Sequence, residues 1–178
     1  MKTLDDWLAL AESHAALAED IQAFESDAEL RDARRMRHAV PATLNERASK
    51  FRDAGGRKVS TDWAVPYRRL AEALGISNQI AESRGVARPV TFGHAGNGHP
   101  HQHFLGRDPA EVARIEQVVE ETLGRVLQMG GTVAAEHGIG KLKRRWIGLQ
   151  LSPIQLGVMR ALKTELDPDW LLAPGNVL

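Results

Sequence analysis

Four histidines fall within ten residues, at His94, His99, His101 and His103 in the run Thr91-Phe-Gly-His-Ala-Gly-Asn-Gly-His-Pro-His-Gln-His. A second cluster follows as Gly130-Gly-Thr-Val-Ala-Ala-Glu-His-Gly-Ile-Gly-Lys141, carrying Glu136 and His137. Imidazole nitrogens suit Zn²⁺ and other first-row divalent ions, and two histidines with one carboxylate leave a metal open for chemistry. On a strand, His99, His101 and His103 share a face. His94, on the partner strand beside a turn, lies within reach of that face. Glu136 can complete the set if its turn packs against the hairpin. His137 is suited to general-base work, because an unperturbed imidazole titrates near neutrality. The plain alternative is a surface hairpin that is merely rich in histidine, with its glycines serving only the turn. From spacing alone, His99 and His103 are expected beside the ligands or toward solvent. The glycines at Gly138 and Gly140 fit neither the dinucleotide fingerprint nor the phosphate-loop pattern, so they predict no nucleotide site.

The rest of the composition narrows the field. The chain has 178 residues, 43% apolar and 26% charged, with Lys+Arg and Asp+Glu balanced at 23 each. That balance advertises neither nucleic acid nor a membrane surface. No apolar run approaches the roughly 20 residues that span a bilayer, and the amino terminus lacks the layout of a secretory signal. With no cysteine there is no disulfide, thiolate nucleophile or iron–sulfur ligation. A cytoplasmic location is expected, and any metal must be held by His, Asp or Glu.

The elements that must position these clusters can be read from periodicity. Residues 3–20 have the spacing of an amphipathic helix, and Ile21 to Phe24 that of a short strand. Asp27 is expected to cap a second helix, Pro41 to break it, and a further helix over 41–53 to end at Gly55-Gly56. Arg57 to Val65 reads as a strand closed by Pro66, which opens a helix through Leu70, Leu74 and Ile80. Pro89 to His94 and His99 to Leu105 read as a hairpin around Asn97-Gly98. Asp108-Pro109 starts the clearest helix, with Val112, Ile115, Val119, Thr122, Val126 and Met129 on its apolar stripe. A short strand over Thr132 to Ala134 and a last helix from Ser152-Pro153 precede an extended tail. The basic groups Arg34, Arg35, Arg37 and His38, and Lys141, Lys143, Arg144 and Arg145, are expected to be mostly solvated. Helices alternating with a hairpin predict an α+β fold.

Three segments together resemble a known family. His94-Ala-Gly-Asn-Gly-His-Pro-His101, Gly130 to Gly140 and the ending Leu166-Asp-Pro…Ala-Pro-Gly175 are similar, in order, to the C-terminal domain of FAD-linked oxidases. That family includes D-lactate dehydrogenases, the glycolate oxidase flavin subunit and D-2-hydroxyglutarate dehydrogenase, within the vanillyl-alcohol-oxidase type of flavoproteins. The resemblance implies a ferredoxin-like antiparallel sheet with packed helices over 21–178, preceded by a connector over 1–20. It implies a divalent metal, Zn²⁺ or Mn²⁺, on His94, His101 and Glu136, with His137 as the catalytic base. Arg37 corresponds to the arginine that holds the substrate carboxylate, and Gly138 and Pro174 to positions beside the flavin. The implied reaction is oxidation of a small D-2-hydroxy acid. The metal acidifies the hydroxyl, His137 takes its proton, and the hydride passes to FAD.

The chain departs from the family pattern in places. Where the family reads Gly-Asp-Gly-Asn-Leu-His, this chain reads Gly96-Asn-Gly-His-Pro-His101, so Asn97 removes a charge and His99 adds an imidazole. The closing Asn-Pro-Gly is Ala173-Pro-Gly175. Residues 1–20 are too few to bind a flavin, so an FAD-binding domain or subunit is the expected partner, and little catalysis is expected from this chain alone. A face made to pack on such a partner predicts an apolar patch and self-association into homo-oligomers. Two other readings remain: a stand-alone metal-binding or interaction protein that has lost catalysis, and a metal-dependent hydrolase. The second is weakened by the lack of a His-Glu-x-x-His helix.

Overall fold

The computed structural model describes residues 3–14, 22, 24 and 26–178. The chain divides into two compact units, residues 1–43 and 44–178.

In the first unit, α1 (Leu4–Ser13) opens with a reciprocal cap in which Thr3 and Asp6 each accept the other's backbone N–H. The expected continuation of this helix over 15–20 lies outside the described residues, as do Ile21 and Ala23 of the expected strand, while Gln22 and Phe24 are in no strand. α2 (Asp27–Ser49), whose residues from Leu44 on belong to the second unit, is a single helix with Pro41 inside it, not two helices broken there. A proline removes one N–H from the ladder, and here the helix runs through that loss. Its start is also shifted by one. Ser26, not Asp27, exchanges capping bonds with Glu29.

The second unit holds the sheet. β1 (Arg57–Thr61), β2 (Val90–His94) and β3 (His99–Gly106) form a three-stranded antiparallel sheet in the order β1-β3-β2. α3 (Leu70–Ser83) lies between β1 and β2 in sequence, and α4 (Pro109–Gln128) follows β3. The chain then touches the far side of β1's extension through one antiparallel bridge, Ala64 to Thr132. This is the β-α-β-β-α-β pattern of an α+β sheet with its fourth strand reduced to a single bridge. The expected strand at Thr132 to Ala134 goes no further because the Val133 N–H turns to the Gln150 side chain and the Ala135 N–H to Asp62 O. The remaining helices are α5 (Ile147–Gln150) and α6 (Pro153–Leu166).

Strand alternation divides the sheet into a core face and a site face. Val59 and Phe104 turn inward and pack with Ile115, Val119 and Leu123 of α4 and Ile80 of α3. Every residue of the expected α4 stripe from Val112 to Met129 is buried. Asp108 caps α4 by accepting the Glu111 N–H, with Pro109 in the first turn. The opposite face carries the histidines of β2 and β3. Among the described residues no helix is long and apolar enough to cross a membrane.

Candidate metal and proton-transfer site

The β2–β3 hairpin sets the register of the site. Pairing His94 with His99, and Phe92 with His101, stands all three imidazoles on one face. The turn is four residues long, Ala95 to Gly98, closed by the Gly98 N–H on Ala95 O at 3.0 Å. Gly98 has φ +67°, and a Cβ there would stand 2.0 Å from Val65 O, so only glycine fits. The Val65 N–H in turn bonds Gly98 O, which ties the hairpin to the segment after β1.

The second cluster packs onto this face, the condition on which Glu136 could join the histidines. Glu136 Oε1 lies 3.4 Å from His94 Nε2, 3.2 Å from His101 Nε2 and 3.4 Å from His137 Nε2. The His137 ring stacks on His101 with centroids 5.0 Å apart. One donor atom each from His94, His99, His101 and Glu136 falls within 4.8 Å of the others. His101 is buried while Glu136 and His137 are open to solvent, so the cluster has a covered floor and an accessible rim. This set fits a divalent cation: the donors are imidazoles and a carboxylate, and the buried Nε2 of His99 has no hydrogen-bond partner among the described residues.

The electrostatics favour ligand-ready protonation states. Burial, reinforced by His99 and His137, lowers the His101 pKa from its ordinary value and so favours the neutral ring. Desolvation pushes Glu136 up, but the imidazoles of His94, His99, His101 and His137 outweigh it and keep the carboxyl below its usual range. His103 is not a solvent-facing residue. Its ring stacks on Phe92 at 4.9 Å and its Nδ1 meets Ser60 Oγ at 2.8 Å. Burial first, then the nearby Lys58 charge, lowers its pKa to about 4.

Two contributors escaped the sequence reading. Asp62, 1% exposed, lies just past β1 and accepts the backbone N–H groups of Glu136 and His137. Lys143 completes the clamp, donating to Asp62 and, at 2.7 Å, to Gly138 O. Burial alone would raise Asp62, yet the Lys143 ammonium and those N–H groups bring it below the usual carboxylate range. The available signal was an acid between Thr61 and Trp63 in a stretch otherwise fit for burial. Of the basic run, Lys143 and Arg145 both meet acids, the latter pairing with Glu116 and lying over Trp146.

Gly138 sits at the rim with φ +65°. The tail is anchored beside the same turn by the Val177 N–H on Gly140 O, and Pro174 is exposed three residues earlier. Arg37 belongs to the first unit, exposed on α2.

Comparison with known proteins identifies the family. A family model described as FAD linked oxidases, C-terminal domain, matches residues 5–177. The glycolate oxidase subunit GlcD of Bacillus subtilis is 33% identical over 118 residues, 65% of this chain and 25% of the relative. A probable mitochondrial D-lactate dehydrogenase of Danio rerio is 36% identical over 126 residues, 70% of this chain and 25% of the relative. A D-lactate dehydrogenase of Archaeoglobus fulgidus is 37% identical over 117 residues, 66% of this chain and 26% of the relative. The chain thus spans about a quarter of the length of these curated relatives. Since the family match runs through both histidine clusters and nearly the whole chain, the protein belongs to the C-terminal domain family of FAD linked oxidases.

Proposed function

We propose that this chain is the substrate- and metal-binding portion of an FAD-dependent dehydrogenase or oxidase acting on a small D-2-hydroxy acid of the D-lactate or glycolate type. It works with an FAD-binding domain or subunit and is inactive without one. The observation that carries the reading is the meeting of Glu136 with His94 and His101 under the stacked His137 ring.

His94, His101 and Glu136 hold a divalent metal, Zn²⁺ or Mn²⁺. When bound, the metal supplies Lewis acidity toward the substrate hydroxyl and the flavin supplies the hydride acceptor. The chain's own work is positioning and proton handling. Arg37 binds the substrate carboxylate, for which a guanidinium has matching bidentate geometry. His137, accessible at the rim and beside Glu136, takes the hydroxyl proton at a ring nitrogen. Gly138 and Pro174 would contact the flavin once the FAD-binding domain or subunit is in place. The covered floor around His101 excludes water from the metal side, which strengthens the electrostatics of the site.

The test is reconstitution. The chain is co-expressed with the FAD-binding portion of a relative, and flavin bleaching is followed on adding D-lactate, glycolate or a longer D-2-hydroxy acid. Bleaching that needs an added divalent metal and disappears in His137→Ala and His101→Ala supports the reading. Metal-independent bleaching, or retention in both variants, overturns it.

A further inference from the structure

His99 stands outside the three ligands proposed above, yet among the described residues no group hydrogen-bonds its buried Nε2. The residue is 5% exposed. Such a nitrogen is costly unless something meets it. The neighbouring cavity of about 180 Å³ does not, since Leu70, Leu74, Phe92 and Pro100 line it and no acid does.

What does surround His99 is the metal cluster. The residue opens β3 directly opposite His94, with ring centroids 5.4 Å apart, and its ring meets His101 edge-on at 4.6 Å. A ring nitrogen of His99 lies within the same 4.8 Å group as the donor atoms of His94, His101 and Glu136. Ligand atoms at about 2.0–2.2 Å from one ion stand roughly 3–4 Å apart, so the group is only slightly wider than a ligated set. The backbone fixes this placement. Gly98 in the left-handed region turns the chain so that His99 begins the strand, and the two-residue period returns His101 to the same face.

We infer that His99 is a fourth protein ligand, so that the site binds its divalent cation through three histidines and one glutamate. This rests on the metal-site reading above and extends it. The chemical consequence concerns which cation can work there. Zinc in structural sites is almost always four-coordinate, and four protein ligands make such a closed set, whereas catalytic zinc can expand to five. A cation that takes five or six ligands, such as Mn²⁺, keeps positions for substrate oxygens. With four protein ligands in place, a substrate oxygen can reach the cation only if its coordination number rises above four.

The test uses the full chain loaded with one equivalent of Zn²⁺ or Co²⁺ alone. X-ray absorption at the metal edge counts imidazole scatterers and needs no variant; three are expected, and two would overturn the inference. Chelator competition then compares His99→Asn with His101→Ala, each checked for folding by circular dichroism in excess chelator. Replacing a residue that only supports a ligand costs about 10–100-fold in affinity, so His99→Asn is expected to cost more than about 100-fold. If His101→Ala abolishes binding while His99→Asn stays within a few-fold of the wild type, the fourth-ligand inference fails and the metal site stands. If His101→Ala binds as well as the wild type, the metal-site reading itself fails. A His99→Asn chain that does not fold leaves the decision to the imidazole count on the wild type.

Discussion

Asp62 holds the backbone of His137. Its Oδ2 accepts the His137 N–H at 2.7 Å and the Glu136 N–H at 3.3 Å, while Lys143 occupies the other oxygen. A carboxylate from the end of β1 thus fixes two consecutive residues 74 and 75 positions later in the chain. The turn has no strand pairing of its own, so this clamp is what aims Glu136 and His137 at the hairpin.

Asp62→Ala should therefore loosen the site without touching a ligand. The expected result is a loss of about 10–100-fold in Zn²⁺ affinity, the usual cost of removing a residue that orients ligands. Hydrogen exchange at the His137 amide should accelerate in the same variant. An unchanged exchange rate would show that the turn is held by something else.

Gly98→Ala tests the hairpin. The position combines φ +67° with a Cβ 2.0 Å from Val65 O. The left-handed conformation alone costs roughly 1–2 kcal/mol for a residue with a Cβ, and the clash adds to it. Denaturant melts should show a loss above that range, with metal affinity falling too because His94 and His99 flank the turn. Gly96→Ala, where nothing lies within 4 Å and φ is ordinary, should be nearly neutral.

Glu111 predicts a pH dependence of stability. It is 4% exposed, and its oxygens accept from the Arg107 backbone N–H, Nε and guanidinium nitrogen at 2.8, 2.9 and 3.0 Å. The Arg107 hydrogen bonds, opposed by burial, lower its pKa from 4.5. A depressed folded-state pKa gives stability that is present above pH 4.5 and lost as pH falls through the lower folded value. Glu111→Ala should cost about 1.5–3 kcal/mol at pH 7, the range for hydrogen bonds to charged groups. Equilibrium unfolding should show the gap from wild type shrinking as the pH falls below 4.5.

α6 predicts association. Ile154, Val158, Leu162 and Leu166 repeat every four residues and are 79%, 56%, 60% and 80% exposed, a contiguous apolar stripe of the kind that marks an interface. Val158→Lys with Leu162→Lys should change stability by less than about 1 kcal/mol in total, since exposed positions contribute little. Sedimentation of the isolated chain should become less dependent on concentration. Equal association in the double variant would move the interface elsewhere.

The sequence by itself determined the elements whose signals are local. α4 was legible because its cap, its proline and an apolar residue every three or four positions are all printed within one stretch of chain. The hairpin was legible because Ala95 to Gly98 lie between two runs of strand-forming residues, and strand periodicity alone put His99 and His101 on one face. One local signal misled. Pro41 did not end α2; the 23-residue helix runs through it, although an interior proline removes a hydrogen bond and costs about 3 kcal/mol. Only the tertiary structure decided the rest of the site. Which carboxylate meets the imidazoles depends on how the segment after α4 folds back over the sheet, a long-range matter with no sequence period. Asp62 and Lys143 could be paired only there, because an acid and a base 81 residues apart become partners through burial and not through spacing. His99 followed the same rule: the chain placed it on the ligand face, and only packing against an apolar cavity left its nitrogen with nothing but the cluster to meet.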